Sequence, residues 1–187
     1  MEFYSVSWDQ LHDASFRLAQ DIRASKKDHD LIVAIARGGM TVAHMLSDFL
    51  LLPVATFTIS SYRDMQQNKL SEISYHVGGT LEGKRILLVD DISDTGKTFL
   101  RAADYLKELK AGPVTTAAPY VKPQTKYLPE FYVEQTDKWI ILPYEVRETV
   151  EAIAKKMRSE GKTDEVVKQT LLKLGINEDY ITTYIHA

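Results

Sequence analysis

Two periods of apolar and polar residues divide the chain into strands and helices. Leu31–Ala36 and Ile86–Val89 are apolar throughout and rich in branched side chains, which suits strands buried on both faces. Val54 to Ile59, entered through Pro53, and Val114 to Val121, entered through Gly112-Pro113, are two more predicted strands. Ile73, Tyr75 and Val77 alternate with polar residues and predict a return strand ending at Gly78-Gly79. Trp8, Leu11, Ser15, Leu18 and Ile22 instead recur at helical spacing as far as about Lys27, and Ser7-Trp8-Asp9-Gln10 ahead of them is a capping box. Further helices are predicted from about Thr41 to Leu50 and from Lys97 to Lys110, the latter ended by Gly112-Pro113. Tyr127 to Val133 and Trp139 to Leu142 read as two short extended pieces bounded by prolines. Strands alternating with helices imply an α/β fold, a mostly parallel twisted sheet flanked by helices on both faces. Chemistry in such sheets gathers beyond the carboxyl ends of the strands. Arg37, Asp90, Asp91, Asp94 and Lys122 all fall there.

The pattern changes after Glu145. Val146, Val150, Ile153 and Met157 mark an amphipathic helix ending near Gly161. Thr163-Asp164-Glu165 opens a second helix, closed by Gly175, and Asn177-Glu178-Asp179 caps a short third. The expected organisation is therefore one domain over residues 1–145 and a C-terminal helical extension over 146–187. That extension is expected to pack on the domain or on a partner subunit.

Composition narrows the classes of function. The chain has 187 residues, 44% of them hydrophobic and 26% charged, enough for one α/β domain with a real core. No apolar run approaches the roughly 20 residues of a membrane helix, and the N-terminus lacks the pattern of a signal peptide. Without cysteine, disulfides, thiolate catalysis and Cys-based zinc sites are excluded. A net charge of −3 gives no general drive toward nucleic acid or anionic membrane. The expectation is a cytoplasmic protein whose phosphate binding, if any, comes from a local site.

Ile86 to Phe99 is that local site. The apolar strand stops at the carboxylates Asp90 and Asp91 and enters Ser93-Asp94-Thr95-Gly96-Lys97-Thr98, which leads into a helix. A helix N-terminus binds phosphate through its amides and dipole. Carboxylates do not, so the acidic pair must serve ribose hydroxyls, a divalent cation, or both. Gly96-Lys97-Thr98 ends like a Walker A loop, but that loop needs a glycine where position 91 is Asp. The stretch instead resembles the phosphoribosyl-diphosphate (PRPP) motif of the type I phosphoribosyltransferases: apolar strand, two acids, then Asp-Thr-Gly-x-Thr. The resemblance implies the fold of that family, with a small hood over about residues 120–145. It implies that Asp90 and Asp91 hold the ribose hydroxyls and that Asp94, Thr95, Gly96, Lys97 and Thr98 hold the 5-phosphate. Mg²⁺ would enter with PRPP, beside Asp90 and Asp91.

Other segments take their meaning from the same resemblance. Arg37-Gly38-Gly39 looks like the family's pyrophosphate loop, with the arginine and the glycine amides facing the leaving diphosphate. The long polar stretch from Ser60 to Lys69 corresponds to a lid opening on a Ser-Tyr pair, here Ser61 and Tyr62. Val121-Lys122-Pro123 and Trp139-Ile140-Ile141-Leu142-Pro143-Tyr144-Glu145 are similar to segments of bacterial xanthine–guanine phosphoribosyltransferases and other 6-oxopurine enzymes. Trp139 can stack on a flat purine. The Lys122 ammonium can donate to a 6-oxo group, whereas adenine presents a donor there. Backbone groups near Ile140 would read the 2-position. Tyr144 stands where that group carries Trp, which leaves the ranking of guanine, xanthine and hypoxanthine open.

The expected activity is transfer of the 5-phosphoribosyl group from PRPP to a 6-oxopurine, with Asp94 as general base. The expected partners are PRPP and a purine base, with no nucleic acid and no membrane, in a homo-oligomer (dimer or tetramer). The alternatives are a transferase for another base and a PRPP-binding regulator without transferase activity.

Overall fold

The computed structural model describes residues 2–60 and 72–186. Ser61 and Tyr62 lie outside the described residues. Contacts divide the chain into two compact units, Leu11–Asp137 on one side and Met1–Gln10 with Lys138–Ala187 on the other. The helix Trp8–Ala24 (α1) begins in the second and continues through the first.

The larger unit is built on a five-stranded sheet. Its strands are Leu31–Ala36 (β2), Val54–Ser60 (β3), Glu72–Tyr75 (β4), Ile86–Val89 (β5) and Val114–Ala117 (β7), in the order β4-β3-β2-β5-β7. All neighbours are parallel except β4, which runs antiparallel to β3 at one edge. Successive residues of a strand face opposite sides of a sheet. On one side Val33, Ile35, Ile86 and Leu88 pack with Phe99, Ala102, Tyr105 and Leu106 of the helix Lys97–Glu108 (α3). The alternate residues Ile32, Ala34, Leu87 and Val89 are equally buried, and the helix Gly38–Leu50 (α2) lies against β2, β3 and β5. Burial on both faces is why these runs carry no polar positions. From β2 the chain moves through α2 to one side of the sheet, and from β5 through α3 to the other. The direction of winding therefore reverses between β2 and β5, the crevice where open α/β sheets bind ligands.

Several boundaries differ from the sequence pattern. The Val114–Val121 strand is two pieces. β7 ends at Ala117, and Tyr120–Val121 (β8) joins a small parallel sheet with Ile92–Ser93 (β6) and Glu134–Gln135 (β9). Pro119 lies between them and has no N–H to extend the first ladder; its carbonyl accepts from the amides of Val133 and Glu134. α2 starts three residues before the expected Thr41, at Gly38, so both glycines belong to its first turn. Trp8 carries the helical spacing of α1 yet is 56% exposed, whereas Leu11, Ser15, Leu18 and Ile22 are buried.

The smaller unit joins both ends of the chain. Phe3–Ser5 (β1) pairs in parallel with Trp139–Ile141 (β10), with Phe3 opposite Trp139 and Tyr4 opposite Ile140. The capping box at the start of α1 forms as the sequence requires: the Ser7 N–H donates to Gln10 Oε1 at 2.8 Å, and the Gln10 N–H to Ser7 Oγ at 3.1 Å. Three helices follow, Val146–Ser159 (α4), Asp164–Lys173 (α5) and Glu178–Tyr184 (α6). Val150, Ile153 and Ala154 of α4 bury against Val167 and Leu171 of α5 and Ile181 of α6. Thr163 and Asn177 cap α5 and α6 with their side chains. No helix among the described residues is long and apolar enough to cross a membrane.

Candidate active site

The acidic edge forms where β5 runs out. Asp90 is buried, 8% exposed, and its Oδ1 accepts the Asp91 amide at 3.0 Å. Its carboxylate also accepts the N–H of Gly39 from the first turn of α2. Burial, and after it the Asp91 charge, pushes the Asp90 carboxyl well above the ordinary carboxylate range; the two amides act against that rise. Asp91 turns one oxygen to the Ile92 amide at 2.7 Å and the other toward Gly38. A methyl group at position 39 would stand 2.5 Å from the Val89 carbonyl oxygen, and one at position 38 would collide with the Asp91 carboxylate. The Arg37–Gly39 turn is thus seated on the acidic pair across the β2/β5 crevice, an approach that two glycines permit. Arg37 itself is exposed, and the Ala36–Arg37 peptide is cis.

Beyond the acids, the turn into α3 is held from the opposite side. Gly96 caps α3 at φ 78°, in the left-handed region, and offers no side-chain cap, while the Lys97 N–H donates to Thr95 Oγ1 at 3.4 Å. The first bond of the helix runs from the Leu100 N–H to the Gly96 carbonyl, so the amides of Lys97, Thr98 and Phe99 have no partner within it. Such a helix start can hold an anion. Residues 122–127 pack along the turn. The Lys122 N–H donates to the Ser93 carbonyl at 2.9 Å and the Lys126 N–H to the Thr95 carbonyl at 3.1 Å. Ser93 Oγ donates to the Tyr127 carbonyl at 2.8 Å, and the Phe99 and Tyr127 rings stack at 5.5 Å. Asp94 lies between these ties, its Oδ1 accepting from Gln124 Nε2 at 2.9 Å.

Lys122 follows β8 and is 9% exposed. Burial pulls its ammonium below the ordinary lysine value, against the charges of Asp94 and Asp137. Trp139 and Ile140 belong to β10 in the smaller unit. There Trp139 is half-buried against the α4–α6 cluster, with its ring centre 6.3 Å from that of Phe3.

The larger unit therefore brings Arg37, Gly38, Gly39, Asp90, Asp91, Asp94 to Thr98 and Lys122 to the carboxyl ends of β2, β5 and β8. Gln124, Thr125, Tyr127 and Asp137 were not singled out by the sequence. A turn at Lys122-Pro123-Gln124-Thr125, with proline at its second position, is readable there; what it packs against is not. Among the described residues no group of three or more His, Cys, Asp or Glu could hold a metal ion. The Asp90–Asp91 pair supplies carboxylate oxygens of the kind that hold Mg²⁺ together with substrate phosphates.

An acidic strand end beside a helix start, at the reversal point of a parallel sheet, stands where open α/β sheets bind their ligands. The family model for the phosphoribosyl transferase domain matches residues 7–149, and the chain belongs to that family, the type I phosphoribosyltransferases. It is 35% identical over 145 residues to the xanthine-guanine phosphoribosyltransferase of Desulfotalea psychrophila, covering 76% of this chain and 86% of that one. The corresponding enzyme of Idiomarina loihiensis is 30% identical over 148 residues, covering 78% of this chain and 88% of that one. Among solved structures, the purine phosphoribosyltransferase of Pyrococcus horikoshii matches with a TM-score of 0.70 and 36% identity, over 77% of this chain and 95% of that one.

Proposed function

We propose that the protein transfers the 5-phosphoribosyl group from PRPP to a 6-oxopurine (guanine, xanthine or hypoxanthine), releasing diphosphate, as a step of purine salvage. The observation that carries this reading is the meeting of the Asp90–Asp91 edge, the Arg37–Gly39 turn and the start of α3 at one crevice. The names of the relatives support the choice of a purine. Lys122 supports the 6-oxo class, because a lysine ammonium donates and cannot accept.

In this reading the 5-phosphate sits on the amides of the Asp94–Thr98 turn and α3, and Asp90 and Asp91 hold the ribose hydroxyls. Arg37 and the Gly38 turn face the leaving diphosphate. The Gly39 N–H holds Asp90 in place, so that glycine serves the ribose side as well. Mg²⁺, held by PRPP oxygens beside Asp90 and Asp91, would neutralise charge on the diphosphate. The C1–O bond to diphosphate breaks as a purine nitrogen bonds to C1, and Asp94 takes the proton that the purine loses at N7. Trp139 stacks on the base, and the backbone near Ile140 reads its 2-position. The reading also takes the enzyme to be cytoplasmic and homo-oligomeric.

The test is diphosphate release from PRPP and Mg²⁺ with guanine, xanthine, hypoxanthine, adenine, uracil and orotate offered in parallel. Release with the 6-oxopurines alone is expected. Turnover with adenine or a pyrimidine would reassign the acceptor. Binding of PRPP with no turnover on any base would make the protein a PRPP-responsive regulator.

A further inference from the structure

We infer that Gln124 is a positioning residue for the proton transfer, acting through Asp94; this rests on the reading of Asp94 as general base. The Lys122–Lys126 segment runs beside the Ser93–Thr95 segment and is tied to it along its length, Ser93 Oγ and Thr125 Oγ1 also lying 2.9 Å apart. Two of the ties are backbone bonds, Lys122 N–H to Ser93 carbonyl at 2.9 Å and Lys126 N–H to Thr95 carbonyl at 3.1 Å. Between them a tie is made by side chains, Gln124 Nε2 donating to Asp94 Oδ1 at 2.9 Å. Gln124 is itself fixed, because the Thr125 N–H donates to the Lys122 carbonyl at 3.0 Å and closes a turn with Pro123 at its second position. The turn holds the Gln124 backbone opposite Asp94, and the exposed side chain reaches across to it.

The consequence for Asp94 follows from its exposure. It lies at the solvent-facing side of the turn, not in the packed core, so packing does not choose its rotamer. Among the described residues its carboxylate accepts this one hydrogen bond. With Oδ1 engaged by Gln124, the carboxylate is restrained, and Oδ2 is the oxygen left to receive the purine proton. A group that transfers a proton must be within hydrogen-bond reach and aligned, and misplacement by about 1 Å can cost on the order of 100-fold in rate. In the same reading the 5-phosphate sits on backbone amides of this turn, which the side-chain bond does not hold.

The experiment is a double-mutant cycle on turnover with guanine, using Gln124→Met and Gln124→Glu in the native and Asp94→Asn backgrounds. Both substitutions keep the length of the side chain; the first removes the donor and the second sets a carboxylate against Asp94. Each is expected to lower kcat roughly 10- to 100-fold, Gln124→Glu more, with the KM for PRPP unchanged. In the Asp94→Asn background Gln124→Met is expected to have no further effect. Additive losses in the cycle, an unchanged kcat, or a KM for PRPP that rises in step with the fall in kcat would overturn the inference. Native protein that turns over no base would instead overturn the parent reading, and the positioning role with it.

Discussion

Lys122 shows at the scale of one residue how burial and function pull apart. The residue is largely buried, and desolvation, opposed by the charges of Asp94 and Asp137, holds its pKa below the ordinary lysine value. The charged donor is therefore lost, as pH rises, earlier than a solvated lysine would lose it. We predict that the KM for guanine rises on the alkaline side within the range just below the ordinary lysine value. Lys122→Met should raise that KM at neutral pH by roughly 10- to 100-fold, a charged hydrogen bond contributing about 1.5–3 kcal/mol, and should remove the alkaline inflection. Linkage gives the sign for stability: between the two pKa values the unfolded chain binds the proton and the folded chain does not, so stability increases with pH there. At neutral pH the buried charge costs stability, and Lys122→Met should leave Tm unchanged or higher. Initial rates across pH, with a melting curve, decide it; an alkaline inflection surviving in the variant would remove Lys122 from base recognition. Asp90 and Asp91 at the end of an apolar strand, and Gly38 at the end of another, could be placed from the sequence because each sits in a short motif of its own. Gln124 could not, because nothing in Lys122-Pro123-Gln124 indicates that Asp94, 30 residues earlier, lies opposite.

At the scale of elements, legibility followed length. β2 and β5 stand out as unbroken apolar runs, and α1, α3 and α4 as helical periods over at least three turns. β1, β6 and β9 have two or three residues each, too few to show any period, and their existence rests on partners distant in sequence. The α3 N-terminus is the element on which the site depends most. Its geometry needs Gly96 at φ 78°, where a Cβ would collide with the backbone nitrogen of Tyr127 and stand 2.9 Å from Thr125 Oγ1. Gly96→Ala should cost at least about 2 kcal/mol in backbone strain and displaced contacts, or roughly 4–8 °C in Tm, and should weaken PRPP binding. Gly78→Ala, with open space around it, is the control and should melt like the native protein. Equal melting of the two variants would mean that the turn relaxes without cost.

At the scale of the molecule, most of α4 and all of α5 and α6 lie beyond the family match, which ends at residue 149, yet they share a core with the strand that carries Trp139. Phe3, Trp139 and Ile141 belong with Val150, Ile153, Val167, Leu171 and Ile181 in one cluster. Removing residues 160–187 strips α5 and α6 from α4 and leaves Val150 and Ile153 uncovered. We predict that the truncated protein aggregates, and that its soluble fraction has a raised KM for guanine with the KM for PRPP intact. Leu171→Ala should show a weaker form of the same pattern, with a loss of about 2–5 kcal/mol in that cluster. Size-exclusion chromatography and rates on both substrates test this, and a monodisperse truncation with native constants would sink it. The pairing of β1 with β10 sets an order of events as well. Phe3 leaves the ribosome first but has no strand to join until Trp139 has emerged, and loops that long close late in folding. The nascent chain can therefore complete the five-stranded sheet of the larger unit during synthesis, whereas the pairing of β1 with β10 waits for the later part of translation.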